Sequence, residues 1–588
     1  MTALLTGNEA IARGAFEAGV TVATGYPGTP STEILQTLEA FHSDIYCEWS
    51  PNEKVALEVA VGASLAGART IVTMKHVGLN VAADPLMTLS YIGTVGGLVI
   101  CVADDPGMHS SQNEQDTRHY ARLAKIPILE PSDSQEAADF VRLGLEISEQ
   151  FRTPVILRST TRVSHSRSLV TLGERTLPAR AIGFVKNPPQ FVPIPVWGRV
   201  LRVQVEERLA ALAQAAATSP ANCCEWRDRS LGIITSSIAY QYVREVFPEA
   251  SVLKLGWAYP FPDALLREFA AGVERVLVVE ELDAILEEHV RALGIACDGR
   301  NVVPGIGELS TARLRAARAS LEGTTFQPVT PVAQAAGLPA RPPVLCPGCP
   351  HRGVFAALGK FDVVVTGDIG CYSLGVFPPL SRTDAILCMG AGITMAHGMQ
   401  KAGEPKRVVG VVGDSTFFHS GVTGLLDVVY NRGLATLIVV DNRTTAMTGH
   451  QDHPGTGRTL MGEATHAVSI EAVGRACGMQ HVVTVNPYDL PNTITVLRAA
   501  LARDEPTLII SAAPCPLRER KPVGTLRQID AEQCRACGAC LKLGCPAIEC
   551  QGGAPRINAV LCSGCALCAQ VCRFDAISPL SALEEVAR

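Results

Sequence analysis

Six short runs of aliphatic and β-branched residues punctuate the chain: RTIVTM (69–74), LGIITSS (231–237), RVLVVEE (275–281), DVVVTGD (362–368), RVVGVVGD (407–414) and ATLIVVDN (435–442). They are nearly continuous in apolar character, which marks strands covered on both faces and therefore parallel sheets. Between them lie Ala- and Gly-rich stretches of helical period, such as GVTGLLDVVYNRG (421–433). Strand, helix and strand in that alternation predict open parallel α/β sheets with crossover helices. The longest apolar stretch, Tyr91 to Ala103, carries polar residues and falls short of the roughly 20 needed to cross a bilayer. It reads as another buried strand. No tandem repeat of solenoid period is present.

Three breaks interrupt the pattern: the Pro-rich VKNPPQFVPIPVW (185–197), the passage 324–344, and the basic LRERKPVGTLRQ (517–528). They predict an α/β domain over 1–184, a Pro-rich linker over 185–228 and a second α/β domain over 229–323. A further linker follows over 324–344, then a third α/β domain over 345–516 and a cysteine-rich module over 525–588. With 588 residues, 47% hydrophobic, the chain is long enough for several cores. A net charge of −6 argues against nucleic acid as a partner. The start, MTALLTGNEA, lacks the basic-then-apolar pattern of a secretory signal. Twenty cysteines without export signals point to a reducing cytoplasm and metal–sulfur ligation.

Eight of those cysteines form two near-identical quartets, CRACGACLKLGCP (534–546) and CSGCALCAQVCR (562–573). Three thiolates at successive Cys-x-x-Cys steps wrap three corners of a cubane, and the fourth crosses to the other cluster. That rule assigns Cys534, Cys537, Cys540 and Cys572 to one 4Fe-4S cluster, and Cys562, Cys565, Cys568 and Cys545 to the other. Zinc prefers two separated pairs, and a disulfide framework implies export. Two departures stand out: four residues before Cys545 in the first quartet, and Arg573 in the place of the usual proline. Both leave the ligands in reach.

The run VVGVVGDS ends in Gly413, Asp414 and Ser415, and the next strand ends in Asp441 and Asn442. Two parallel strand ends bearing Asp414 and Asn442, with a backbone carbonyl, can hold Mg²⁺ and leave positions open for phosphate oxygens. A helix beginning near Phe417 offers its amides to the same anion. In the first region, PNEKVALEVAVGASLAGARTIVTM (51–74) places Glu53 at a helix start, with Glu58 on the flank of that helix. A first-turn acid is also what the helix dipole favours.

The Gly-Asp-Ser … Asp-Asn element resembles the thiamine diphosphate (TPP) signature Gly-Asp-Gly … Asn-Asn. By that resemblance the Mg²⁺ ligands are the Asp414 and Asn442 side chains and the Thr444 carbonyl, and Glu53 activates the aminopyrimidine ring. TGYPGTPSTEI (24–34), MKHVGLN (74–80) and CPGCPHRG (346–353) extend the likeness. The whole chain resembles the 2-oxoacid:ferredoxin oxidoreductases, and its domain order resembles the indolepyruvate branch. The fold implied is a pyrimidine-type domain, a transketolase C-terminal-like domain, a pyrophosphate-type domain and a two-cluster ferredoxin-like tail.

The resemblance further implies that Pro27, Gly28, Thr29 and Pro30 lie over the thiazolium and the substrate carbonyl, with His76 facing them. A lone histidine is equally read as a packed core residue. Gly390, Gly392, Gly413 and Ser415 complete the implied cofactor-binding set. A third, proximal 4Fe-4S cluster is implied at Cys346, Cys349, Cys371 and Cys515, which could instead be a turn and buried small residues. Cys47, Cys101, Cys223, Cys224, Cys297, Cys388, Cys477 and Cys550 show no ligand spacing and are assigned to packing.

The activity implied is oxidative decarboxylation of aryl pyruvates with coenzyme A, electrons leaving through the clusters to ferredoxin. Pyruvate and phenylglyoxylate are alternative substrates, and an electron-transfer subunit without its own catalysis is the alternative class. No gamma-type domain is recognisable, so a smaller partner subunit is expected, with two copies of each chain. No membrane association is expected.

Overall fold

A computed structural model describes residues 1–179, 181–326 and 342–580. The chain divides into two units, 1–336 and 337–588. Most of the 324–344 break, and the residues after 580, lie outside the described residues.

The first unit holds a seven-stranded sheet. Its strands are β1 (Val22–Gly25), β2 (Tyr46–Trp49), β3 (Thr70–Lys75), β4 (Leu98–Asp104), β5 (Ile128–Leu129), β6 (Val155–Thr160) and, from far downstream, Trp257–Tyr259. Helix α1 (Glu53–Leu65) and the short α2 (His76–Val81) flank β3. β3 and β4 are buried at every position, as their unbroken apolar spelling requires. The Tyr91–Ala103 stretch is the end of a helix followed by β4.

The passage read as a linker is structured. Helix α3 (Pro195–Ala217) fills much of it, with Pro195 at the first turn, where a missing amide costs nothing. The second sheet then begins inside the same passage with β7 (Asn222–Glu225) and β8 (Asp228–Ser236), followed by β9 (Ala250–Leu255). The chain next gives β10 (Trp257–Tyr259), then β11 (Val276–Val279). The second sheet runs β11-β8-β9-β7, whereas β10 pairs antiparallel with β5 of the first sheet, whose order is β10-β5-β6-β4-β3-β1-β2. Trp257 is accordingly core, 3% exposed.

The second unit contains α4 (His351–Leu358), β12 (Val363–Thr366), α5 (Ala391–Lys401), β13 (Arg407–Gly413), α6 (Val422–Tyr430), β14 (Thr436–Asp441), β15 (His481–Val485) and β16 (Thr507–Ala512). The five strands are all parallel, in the order β12-β13-β14-β16-β15. The parallel α/β class read from the apolar runs is therefore the observed one. Helical backbone begins at Asp414 itself, three residues before Phe417, and runs through a π-helical turn at Phe417–Gly421 into α6.

The cysteine tail carries two small antiparallel ribbons, Arg527–Ile529 with Ile577–Pro579 and Ile548–Gln551 with Ala554–Ile557, and a short helix at Leu567–Val571. It shares the core of the five-stranded sheet. Val354, Phe355 and Leu358 of α4 and Val409, Val411 and Ile438 of the sheet pack in one cluster with Leu543, Ile557, Leu567 and Ile577. Each such side chain contributes about 1.5–3 kcal/mol on burial. Arg352, 2% exposed, clamps the junction by donating to the carbonyls of Leu345 (2.7 Å), Cys346 (3.2 Å) and Leu543.

Candidate functional site

In the first unit the chemistry gathers where β1, β3 and β4 end. Asn52 caps α1 by accepting from the Val55 amide (2.9 Å), which places Glu53 on the first turn, 5% exposed. The Glu53 carboxylate lies against Gly78 of α2, where an added Cβ would stand 2.6 Å from Oε1. Glu58 is exposed and pairs with Lys54, as the reading of its helix face required. His76 opens α2 and is 1% exposed, its Nε2 3.3 Å from the Asn113 carbonyl. Burial holds its pKa below the ordinary histidine value, so it is a neutral imidazole near pH 7. The Pro27–Pro30 loop follows β1, and the Thr29 carbonyl accepts from Ser110 Oγ at 3.1 Å. Gly28 rests on Lys75, with 3.0 Å between its added Cβ and the lysine Cβ. Glu53, His76, Gly28 and Thr29, distant in sequence, are thus brought to one sheet edge.

Behind that edge is a buried ionic network that the sequence did not disclose. Arg158 donates to Asp104 (2.6 Å) and Glu130 (2.8 Å), and Arg118 donates to Asp116 (2.6 Å) and Glu280 (2.6 Å). Glu280 directly follows β11, so Arg118 ties the two sheets of this unit together.

In the second unit the Asp414 Oδ2 and Asn442 Oδ1 atoms both accept from the Thr444 amide, each at 3.2 Å. Asp414, Asn442 and Thr444 are therefore neighbours, with the Thr444 amide rather than its carbonyl turned to the two oxygens. Two histidines not foreseen join them: His453 Nε2 lies 3.1 Å from Asp414 Oδ2, and His351 Nε2 lies 3.3 Å from Asn442 Nδ2. Burial opposes the Asp414 charge, but the charge and hydrogen bond of His453 bring its pKa below the usual range. Burial, then the Asp414 charge, raises Asp441 to about 6, and burial lowers His351 to about 4. Ser415 Oγ accepts from Thr445 Oγ1 at 2.9 Å. Gly390, at φ +87, could carry no side chain, since its Cβ would stand 2.7 Å from that of Ser420. Its amide donates to Asp368, a buried carboxyl pushed up to about 7 by burial. Gly392 opens onto the Val411 carbonyl. One carboxylate and one amide oxygen suit a hard divalent cation, though the Thr444 group that meets them is its amide N–H, and the close-packed Gly390 and Gly413 backbones leave room suited to a diphosphate.

The thiols sort as the crossed rule requires. Cys534, Cys537, Cys540 and Cys572 line one cavity; Cys545, Cys562, Cys565 and Cys568 line another. Burial, then the neighbouring Cys565, Cys545 and Cys562, raises the Cys568 thiol to about 12. The amides of Ala536 and Gly564 point at Cys534 and Cys562 Sγ, each at 3.4 Å. Among the described residues, no three His, Cys, Asp or Glu side chains converge on a point that could hold one ion. The thiols surround spaces, the arrangement a polynuclear cluster needs.

Cys346, Cys349, Cys371 and Cys515 are also neighbours. After burial, the charges of Cys346 and Cys515 are the largest influences on Cys371. The Cys515 amide donates to the Asn442 carbonyl at 2.9 Å, so this group abuts the Asp414–Asn442 site. The turn at Gly348, φ +69, borders the second cysteine cavity. Of the cysteines assigned to packing, Cys47 and Cys101 are buried, but Cys223, Cys388 and Cys550 are exposed and correct that assignment.

Residues 368–511 match the family model of the thiamine pyrophosphate enzyme C-terminal TPP-binding domain. Residues 13–188 match that of the thiamine diphosphate-binding region of pyruvate flavodoxin/ferredoxin oxidoreductase. The indolepyruvate oxidoreductase subunit IorA of Methanothermobacter marburgensis is 44% identical over 98% of this chain and 97% of its own. The chain belongs to the IorA family. The IorA subunit of Archaeoglobus fulgidus is 42% identical, again over 98% of this chain and 97% of its own. The 2-oxoglutarate synthase subunit KorA of M. marburgensis is 26% identical over 47% of this chain and 87% of its own. A solved 2-oxoglutarate:ferredoxin oxidoreductase from Magnetococcus marinus overlaps 55% of this chain and 65% of its own, at TM-score 0.46 and 17% identity. This IorA-family chain is thus an oxidoreductase with two regions of TPP-binding type. No helix among the described residues is long and apolar enough to cross a membrane.

Proposed function

We propose that the chain is the TPP-binding, electron-conducting subunit of an enzyme that oxidatively decarboxylates aryl pyruvates of the indolepyruvate kind. Coenzyme A takes the acyl group, CO₂ leaves, and electrons pass singly to ferredoxin. The observation that carries this reading is the sharing of one unit by the Asp414 and Asn442 oxygens, joined through the Thr444 amide, and two four-cysteine cavities. TPP supplies carbon–carbon cleavage beside a carbonyl with a sink for the electron pair, and iron–sulfur clusters supply one-electron acceptance at about −400 mV.

The chain's own residues do the rest. Asp414, Asn442 and the Thr444 carbonyl hold Mg²⁺, and Gly390, Gly392, Gly413 and Ser415 admit the diphosphate. Glu53 holds a proton at the aminopyrimidine nitrogen. The Pro27-Gly28-Thr29-Pro30 loop and the neutral His76 border the substrate carbonyl and exclude water. Cys534, Cys537, Cys540 and Cys572 hold one 4Fe-4S cluster, Cys562, Cys565, Cys568 and Cys545 the second, and Cys346, Cys349, Cys371 and Cys515 a proximal third. A smaller gamma-type subunit completes the enzyme, two copies of each chain assembling in the cytoplasm.

The test is a panel of 2-oxo acids assayed with coenzyme A and viologen dye, using anaerobically purified chain and its partner subunit. Indolepyruvate and phenylpyruvate are expected to give the highest kcat/KM, with brown protein bleached by substrate. Preference for pyruvate or phenylglyoxylate would move the substrate assignment, and colourless active protein would overturn the electron path.

A further inference from the structure

Lys75 is the last residue of β3 and is 7% exposed. Its ammonium donates to the Ser110 carbonyl at 2.8 Å and to Ser110 Oγ at 3.4 Å. Three N–H bonds are available to an ammonium, so one remains to be used. The charge acting on it is Asp105, and the Asp105 oxygens are already engaged. Oδ2 accepts from the Ser110 amide (2.8 Å) and Ser111 Oγ (2.6 Å), and Oδ1 accepts from Thr161 Oγ1 (2.7 Å). Burial brings the lysine down to about 8, still protonated at pH 7. An ammonium held in low dielectric with a committed counter-charge is costly unless an anion meets it in the working state.

What surrounds Lys75 says which anion. The next residue is His76; Gly28 lies across its Cβ; and Ser110, which takes its hydrogen bonds, also donates to the Thr29 carbonyl. Ser110 is itself exposed, so the ammonium lies one residue beneath solvent. Asp105 and His76 are the titratable groups beside it, and neither offers another positive charge at pH 7. Lys75 is thus a cation at the lip of the loop assigned above to the substrate carbonyl.

We propose that Lys75 receives the carboxylate of the 2-oxo acid, setting the carboxylate side of the substrate against the Pro27–Pro30 loop before CO₂ is lost. This rests on the reading that the loop borders the substrate. A substrate that lacks the carboxylate, the aldehyde one carbon shorter, gains nothing from Lys75. That aldehyde with coenzyme A yields the same acyl-CoA, two electrons and two protons, without CO₂.

The test compares wild type, Lys75→Met and Lys75→Arg in the complex with the partner subunit, each reconstituted with iron, TPP and Mg²⁺. KM and kcat are measured by viologen reduction for the preferred 2-oxo acid and for its aldehyde. Lys75→Met is expected to raise KM for the acid on the order of 10- to 100-fold, the loss of one charge-assisted hydrogen bond. KM for the aldehyde stays within about twofold, and Lys75→Arg recovers most of the acid's affinity. An unchanged KM for the acid overturns the proposal. Equal weakening of acid and aldehyde also overturns it, by assigning Lys75 to holding the loop. Should Lys75→Met not fold, as judged by melting temperature and iron content, Lys75→Gln carries the same comparison. Failure of wild type to turn over any 2-oxo acid would instead overturn the function proposed above.

Discussion

At the edge of the seven-stranded sheet the charges are a carboxylate laid along a helix backbone, Glu53, and a buried ammonium, Lys75, above Asp105. At the same edge of the five-stranded sheet, three carboxyl groups, Asp368, Asp414 and Asp441, stand among His351 and His453. Both edges arise in the same way, from parallel strands whose C-terminal ends release their loops to one side. The architecture decides where polar groups gather, and the loop residues decide whether the gathering suits an anion or a cation. On the function proposed above, the first edge would handle an acid and a ring nitrogen and the second would hold a divalent ion and phosphate oxygens.

That division of labour can be broken at four points. The largest effect is expected from Asp414→Ala, which should cost about 1000-fold or more in turnover, because the proposed cation site would lose its only carboxylate. TPP measured after gel filtration should be absent while iron content stays at wild-type level; retained TPP would remove Asp414 from the site. Next, Glu53→Gln should lower turnover by roughly 100- to 10,000-fold with TPP and iron both retained. Loss of TPP in that variant would assign Glu53 to holding the cofactor rather than to activating it.

A third variant tests the support of the first edge. Arg158→Met removes the cation that Asp104 and Glu130 share, leaving Asp104, among the described residues, only Thr117 and Glu130 only Arg118 at 3.8 Å, and should lower stability by about 3–5 kcal/mol. Denaturant titration should show the loss in the earliest transition, and an unchanged midpoint would show that the network contributes nothing net. The smallest effect is expected at Gly348→Ala, where φ is +69 and the new Cβ would stand 2.0 Å from Ser563 Oγ. Backbone strain there costs of order 1–3 kcal/mol. It should show as a changed electron paramagnetic resonance signal of the reduced clusters, with turnover of the organic substrate less affected than electron delivery. An identical spectrum would separate the CPGC turn from the second cysteine cavity.

Local spelling explains what could be read in advance. The grouping of the quartet cysteines around two cavities was legible because three of each four sit within seven residues and a general crossing rule places the fourth. β3, β4, β13 and β14 were legible because strands covered on both faces have no polar alternation. The place of Glu53 on a first helical turn was legible because Asn52 caps a helix of small residues. The Arg118–Arg158 network was not, since its carboxylates come from four separate segments and only folding assembles them. Lys75 reads as an ordinary strand-end lysine until Gly28 and Ser110 close over it. His351 opens α4 directly after the CPGC turn and His453 sits in a loop, and neither spelling points to a site. Helix α3 was hidden by prolines at 188, 189, 193 and 195, which suggest a linker although the last of them starts a helix.

One strand limits how this protein can be taken apart. Trp257–Tyr259 belongs by sequence to the second sheet's segment but completes the first sheet beside Ile128–Leu129. A fragment stopped near residue 228, where composition changes, would uncover a raw hydrogen-bonding border on its shortest inner strand. Such fragments should self-associate, so a soluble excised module must carry the chain onward past the return crossing.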